Sequence, residues 1–252
     1  MIKVNNLVKY FADRSAVQQV SLDIGAELFV FLGPNGAGKT TTIKMMTGLL
    51  KPDAGSVELK GINLHQYPLA AKQLFGLVPE EPALYEKLTA AEFVGFMAQL
   101  YKVNKTDAEK RMAQLFEIFE ITDRRNDLLE DFSHGMKQKV SLSGALVHDP
   151  EILFLDEPTV GLDPKSARNL KDLLRGLVDK GHAVFMSTHI LEVAERMCDR
   201  VGIIHQGRLI AVGTLEQLAQ QAGKPGASLE DIFLTLTGDT EQEGLVRFLE
   251  AS

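Results

Sequence analysis

Apolar residues recur along the chain at two different periods. Val20, Leu22 and Ile24 alternate with polar residues, as on a half-buried sheet face, and residues 2–7 read as a short strand before them. Residues 28–32 form a continuous apolar run, the mark of a strand covered on both faces, and residues 42–50 read as a helix. Past the breaker Lys51-Pro52-Asp53-Ala54-Gly55, residues 56–59 and 74–78 predict two more strands, the second closed by Pro79-Glu80-Glu81-Pro82. From Leu84 the period becomes helical. Thr89 with Glu92, and Thr106 with Glu109, have capping-box spacing for helices carrying Phe93, Phe96, Met97 and Leu100, then Met112, Leu115, Phe116 and Phe119. Stripes of that kind predict core. Ser133 sits where it would cap a third helix, running to His148 and stopped by Asp149-Pro150. Residues 152–155 and 182–187 return to apolar strands, and residues 202–205 and 208–212 flank Gln206-Gly207 as a hairpin. Two short amphipathic helices are expected from Leu215 onward, the second capped at Ser228.

Between the apolar run 28–32 and the helical run 42–50 lies Gly33-Pro34-Asn35-Gly36-Ala37-Gly38-Lys39-Thr40-Thr41. This is a Gly-x-x-x-x-Gly-Lys-Thr loop in the strand, loop, helix order that phosphate binding requires. Its glycines let successive N–H groups converge on a triphosphate, and Lys39 adds charge for the β- and γ-phosphates. The Thr40 hydroxyl is placed to ligate Mg²⁺, and the helix offers its positive end. Lys39 is expected to serve nucleotide and not the fold, so that Lys39→Ala would leave the melting temperature of the free chain nearly unchanged.

The strand 152–155 ends in Asp156 and Glu157, two adjacent carboxylates at a strand C-terminus, where open parallel sheets place ligands. Buried charges need partners. Mg²⁺ opposite Thr40 supplies one for Asp156, and Glu157 is then placed to accept a proton from water attacking the γ-phosphate. The strand 182–187 leads to His189 at the same sheet edge, either as a structural histidine or as a γ-phosphate contact. Phe11, between the first strands, is either a small hydrophobic plug or a stacking surface for adenine.

A chain of 252 residues with formal charge -7 can bury a substantial core, and its acidic balance argues against nucleic acid or anionic lipid as a direct partner. The single Cys198 permits no internal disulfide and fits a reducing compartment. No stretch approaches the roughly 20 apolar residues that span a bilayer, and the N-terminus lacks the apolar segment of a signal peptide. The chain is therefore expected to be soluble by itself and to reach a membrane through a partner.

Taken together, the motifs resemble the ATP-binding subunit of an ABC transporter over nearly the whole chain. In that family a phosphate loop, a glutamine loop, a signature opening a helix, a strand with Asp-Glu, a Leu-Asp loop and a switch histidine occur in this order. Residues 33–41 match the first, residues 133–136 the signature, 152–157 the Mg²⁺ strand, Gly161-Leu162-Asp163 the loop that communicates across the dimer, and His189 the switch histidine. Phe11 matches the adenine-stacking aromatic. The resemblance implies an α/β fold: a P-loop NTPase core with a mixed sheet, an N-terminal antiparallel β subdomain and an inserted helical subdomain. The expected divisions are 1–83 for the β subdomain and start of the core, 84–148 for the helical block, 149–214 for the return of the core and 215–252 for a C-terminal extension.

It further implies ATP and Mg²⁺ as cofactors, a transmembrane permease as partner, and a head-to-tail homodimer with a second ATP-binding subunit, in which Ser133 and Gly135 of one chain contact ATP held by residues 33–41 of the other. The expected location is the cytoplasmic face of the membrane, held by the permease. Two positions depart from the family. The signature is Phe132-Ser133-His134-Gly135-Met136 in place of LSGGQ, and the glutamine-loop position is Glu80, which in the resembling family reaches the Mg²⁺ shell; otherwise Glu80 belongs to a charged, solvent-facing turn. The segments SHGMKQK, PEEPALY and ASLEDIFLTLTG resemble the bacterial exporter branch that moves drugs, antibiotics or lipids, or supports sodium efflux. The competing reading is a non-transport ABC-type ATPase acting on nucleic acid or ribosomes. Such proteins resemble tandem cassettes or carry long coiled-coil insertions, and this chain shows one cassette and no sustained heptads.

Overall fold

The computed structural model describes residues 1–12 and 14–238; residues 239–252, the end of the expected C-terminal extension, lie outside the described residues. The chain begins with β1 (Ile2–Phe11), β2 (Arg14–Ile24), β3 (Leu28–Leu32), α1 (Lys39–Met46), β4 (Ala54–Leu59) and β5 (Ile62–Asn63). Next come α2 (Pro68–Lys72), β6 (Phe75–Val78), α3 (Ala90–Leu100), α4 (Lys105–Ile118) and α5 (His134–Leu146). The core returns with β7 (Ile152–Asp156), α6 (Pro164–Asp179), β8 (Ala183–Thr188), α7 (Leu191–Met197), β9 (Arg200–His205) and β10 (Arg208–Gly213), followed by α8 (Leu215–Gln221) and α9 (Leu229–Thr237).

Two sheets result. An antiparallel sheet runs β2-β1-β4-β5, and a mixed sheet runs β10-β9-β3-β8-β7-β6, parallel except for the terminal β10–β9 pair. The central strands are apolar at every position because both their faces are covered. Phe29 and Phe31 of β3, with Phe154 of β7 and Phe185 of β8, pack toward α1 and the antiparallel sheet. Leu28, Val30 and Leu32, with Leu153, Leu155, Val184 and Met186, pack toward the helices. The chain between neighbouring strands β6 and β7 carries α3, α4 and α5, so the helical block is an insertion in the core, as its change of period predicts.

Several local expectations need correction. The α4 cap is Asn104, whose side chain accepts the N–H of Asp107; Thr106 already lies inside the first turn, so its pairing with Glu109 is not a capping box. The α5 helix stops at Leu146, short of His148. The α6 helix is not among the expected elements, although Asp163 caps it by accepting the N–H of Ser166 and Pro164 opens it, a start signal in its own right. The Thr89–Glu92 capping box, the Ser133 cap and the Gln206-Gly207 hairpin turn lie where the pattern puts them.

Candidate functional site

Strand register assembles the site. Leu32 pairs with Thr188 and Asp156 with Ser187, which brings the loop after β3, the carboxylates at the end of β7 and the residues after β8 to one sheet edge. The Gly33 N–H donates to the Thr188 carbonyl at 3.3 Å, tying loop to neighbour. Gly38 has φ of 108°, and a Cβ there would lie 2.6 Å from the Ala16 carbonyl oxygen, so only glycine lets the loop turn into α1 against β2.

Lys39 is buried, and its Nζ donates to the carbonyls of Gly33 at 2.8 Å and Pro34 at 3.3 Å. The same Nζ lies 3.2 Å from Oε1 of Glu157, itself buried. His189 Nδ1 approaches that oxygen at 3.0 Å, while the His189 backbone N–H donates to Oε2 at 3.3 Å. Glu157 thus stands between the Lys39 side chain and the His189 ring. Its φ of 49° is a left-handed conformation that costs energy for a residue with a Cβ, and such strain concentrates at functional positions.

Ser187 is the residue that the sequence reading passed over. Its hydroxyl donates to Oδ1 of Asp156 at 2.5 Å and accepts the backbone N–H of Glu157 at 3.1 Å, fixing the Asp156 carboxylate and the Glu157 main chain. The available signal was a hydroxyl at the end of an otherwise apolar strand.

A cavity of about 480 Å³ opens over the loop. Phe11, Gly36, Gly38, Lys39, Thr40, Thr41, Glu80 and Glu157 line it together with Arg14 and Asn35. Phe11 and Glu80 are both exposed there. A second cavity of about 900 Å³ lies on the other side of Asn35 and Gly36 and is lined also by Pro34, Ala37, Arg14 and Arg208. Ser133 and Gly135 line neither cavity; they stand at the start of α5, with the Ser133 hydroxyl accepting the Met136 N–H at 3.3 Å. One chain therefore gathers every expected site residue except these two.

The donors available for Mg²⁺ are oxygens only, the Thr40 hydroxyl at the cavity and the buried Asp156 carboxylate, of which Ser187 engages one oxygen. This set fits Mg²⁺, which takes one or two protein oxygens and completes its shell with phosphate and water. Among the described residues no cluster of three metal-ligating side chains competes with it.

A covered parallel sheet with a glycine-rich loop at its C-terminal edge and a buried Lys-Glu pair beneath that loop defines a P-loop nucleotide-binding fold. The profile described as ABC transporter matches residues 17–160, more than half of the chain, and the chain belongs to that family as an ATP-binding subunit. It is 39% identical over 242 residues to the linearmycin resistance ATP-binding protein LnrL of Bacillus subtilis (strain 168), covering 96% of this chain and 76% of that protein. It is 37% identical to the ABC-type transporter ATP-binding protein EcsA of the same organism, covering 94% and 96% of the two chains. A solved ATP-binding subunit of an ABC transporter superposes with TM-score 0.90 at 35% identity, covering 94% of this chain and 99% of that one. A dimeric bacterial ABC transporter cassette superposes with TM-score 0.79 at 27% identity, covering 85% and 99%.

Proposed function

We propose that this subunit hydrolyses Mg-ATP at an interface between two copies of the chain and thereby powers export through a separate membrane permease, at whose cytoplasmic face it sits. The observation that carries the reading is the Glu157 carboxylate held between Lys39 and His189 beneath the phosphate loop. In the free chain Lys39 neutralises Glu157. The phosphates of ATP draw Lys39 toward themselves, which leaves Glu157 to take the proton of an attacking water while His189 turns its ring to the γ-phosphate. Phe11 would stack on the adenine, and Thr40 with Asp156 would hold Mg²⁺, with Glu80 as a further oxygen donor. When bound, Mg²⁺ supplies charge neutralisation between the β- and γ-phosphates.

Dimerisation is supported by the position of Ser133 and Gly135, outside the cavity of their own chain, and by a relative solved twice as a dimer, once in a post-hydrolysis state with ADP and Pi. The export direction is supported by relatives named for linearmycin resistance, daunorubicin/doxorubicin resistance and Nod factor export. Among the described residues no helix is long and apolar enough to cross a membrane, so the transport path is assigned to another chain. Tyr85, Phe96 and Leu100 of the helical block are exposed, as is Leu49, which lines a hollow of about 190 Å³ together with Leu77, Met97 and Tyr101, and these apolar groups are assigned to a cytoplasmic helix of the permease.

The deciding experiment is Glu157→Gln, which keeps size and hydrogen bonding and removes the base. It is expected to bind ATP and to turn over slowly; hydrolysis at the wild-type rate refutes the assignment of Glu157.

A further inference from the structure

The start of α5 and the loop after Glu157 are fitted to one another within a single chain. A Cβ on Gly135 would lie 2.4 Å from the Gly161 carbonyl oxygen, so the two backbones touch with no room for a side chain. Gly161 has φ of 79°, and its missing Cβ is where the His134 ring sits: a Cβ there would lie 2.6 Å from His134 Cδ2. Below this contact Lys139 pairs with Asp163 at 3.1 Å, and the buried Gln138 donates to the Pro158 carbonyl at 3.4 Å. The loop is itself a succession of tight turns starting at the base, with the Val160 N–H donating to the Glu157 carbonyl and the Leu162 N–H to that of Thr159.

We infer that His134 is a positioning residue: its ring, seated on Gly161, fixes the start of α5 to the loop that begins at Glu157, so that what one chain offers its partner's ATP moves with its own hydrolytic site. This rests on the dimeric ATPase reading above. Ser133 and Gly135 flank His134, so a displacement of Gly161 shifts both phosphate-contacting groups together. Without the ring the contact keeps its backbone approach and loses its lateral stop.

The test places the same two substitutions in two arrangements. Full-length chains with different affinity tags are purified as mixed dimers, with the permease present, and ATP hydrolysis is measured. In the joined arrangement one chain carries both His134→Ala and Glu157→Gln and its partner carries neither. The working site is then the wild-type chain's, served by an altered α5. In the split arrangement one chain carries His134→Ala and the other Glu157→Gln, so the working site is served by an unaltered α5. A folding defect would lower both dimers alike. The joined dimer is expected to show a kcat lower by about tenfold than the split one with similar KM for ATP, on the scale that small misplacement of a positioned group produces. Equal kcat values, or a deeper loss in the split dimer, overturn the inference. His134→Phe keeps a flat ring on Gly161 and is expected to restore the joined dimer; a loss as deep as that of His134→Ala also overturns it. A wild-type dimer that hydrolyses no ATP overturns the ATPase reading instead.

Discussion

Lys39 shows how one residue can carry two duties. Because it is buried against Glu157 at 3.2 Å, Lys39→Ala strips the cation from a buried carboxylate, and the expected indifference of the free fold does not follow. Breaking a buried pair from one side costs roughly 3–5 kcal/mol, and His189 beside the same oxygen reduces that here. Lys39→Ala is expected to lose stability on the order of 2 kcal/mol in urea unfolding without nucleotide, and adding Glu157→Gln to recover most of it. Additive losses in that cycle would show that the two side chains do not interact. Glu80, exposed in the cavity that Glu157 also lines, adds negative charge where the triphosphate is proposed to bind. Two charges about 6 Å apart interact by roughly 3 kcal/mol at an effective dielectric near 20. Glu80→Gln is therefore expected to keep most basal ATP hydrolysis and to shift its Mg²⁺ dependence, and titration with Mg²⁺ at fixed ATP checks this through the displacement of the curves. Lys39, Asp156 and Glu157 were legible because each follows an apolar strand at a fixed offset. Ser187 was not, because its partners are 30 and 31 residues away and depend on the β7–β8 register.

At the scale of elements, the junction of the helical block with the core is a knot of three. Tyr101 after α3 stacks on His148 beyond α5, with ring centroids 3.6 Å apart, and both reach the Phe75 carbonyl that opens β6, the hydroxyl at 3.4 Å and Nε2 at 3.2 Å. Burial pushes the His148 imidazole down to about 4, opposed by the Phe75 carbonyl and Asp149, while Arg111 adds to the shift. A histidine held neutral in the fold and free to protonate near 6.5 when unfolded favours the fold above that pH, and this contribution fades as pH falls toward 4. Between about pH 7 and about pH 4.5 the wild type is expected to lose on the order of 2 kcal/mol more than His148→Phe, as denaturant unfolding at the two pH values measures. Parallel losses would mean that His148 titrates alike in both states. The helices themselves were readable where a cap preceded a stripe. The α6 helix is not among the expected elements because Asp163, its cap, is assigned to the loop Gly161-Leu162-Asp163, and α4 is misplaced because a threonine within reach of a glutamate imitates a cap.

For the whole molecule, Ser133 and Gly135 lie outside the cavity of their own chain, so the dimeric reading proposed above makes association the expected consequence of nucleotide binding. Glu157→Gln is expected to accumulate as a dimer in Mg-ATP, and light scattering in the presence and absence of nucleotide reads the mass change. A second consequence comes from β3. Its neighbours in the mixed sheet are β8 and β9, so Leu28 pairs with Val184 and Phe29 with Arg200. A ribosome releases the phosphate loop early and the strands that hold it late. Until β8 has emerged, residues 33–41 lack the Thr188 carbonyl that receives the Gly33 N–H, and until β9 has emerged β3 lacks its second neighbour, since pairings between distant segments must wait for both partners. Nascent chains stalled before Arg200 leaves the exit tunnel are expected to ignore ATP, whereas released full-length chains bind it. Nucleotide capture would then mark a chain whose central strands are all made, and a product truncated before β9 would not compete for the fuel of the finished one.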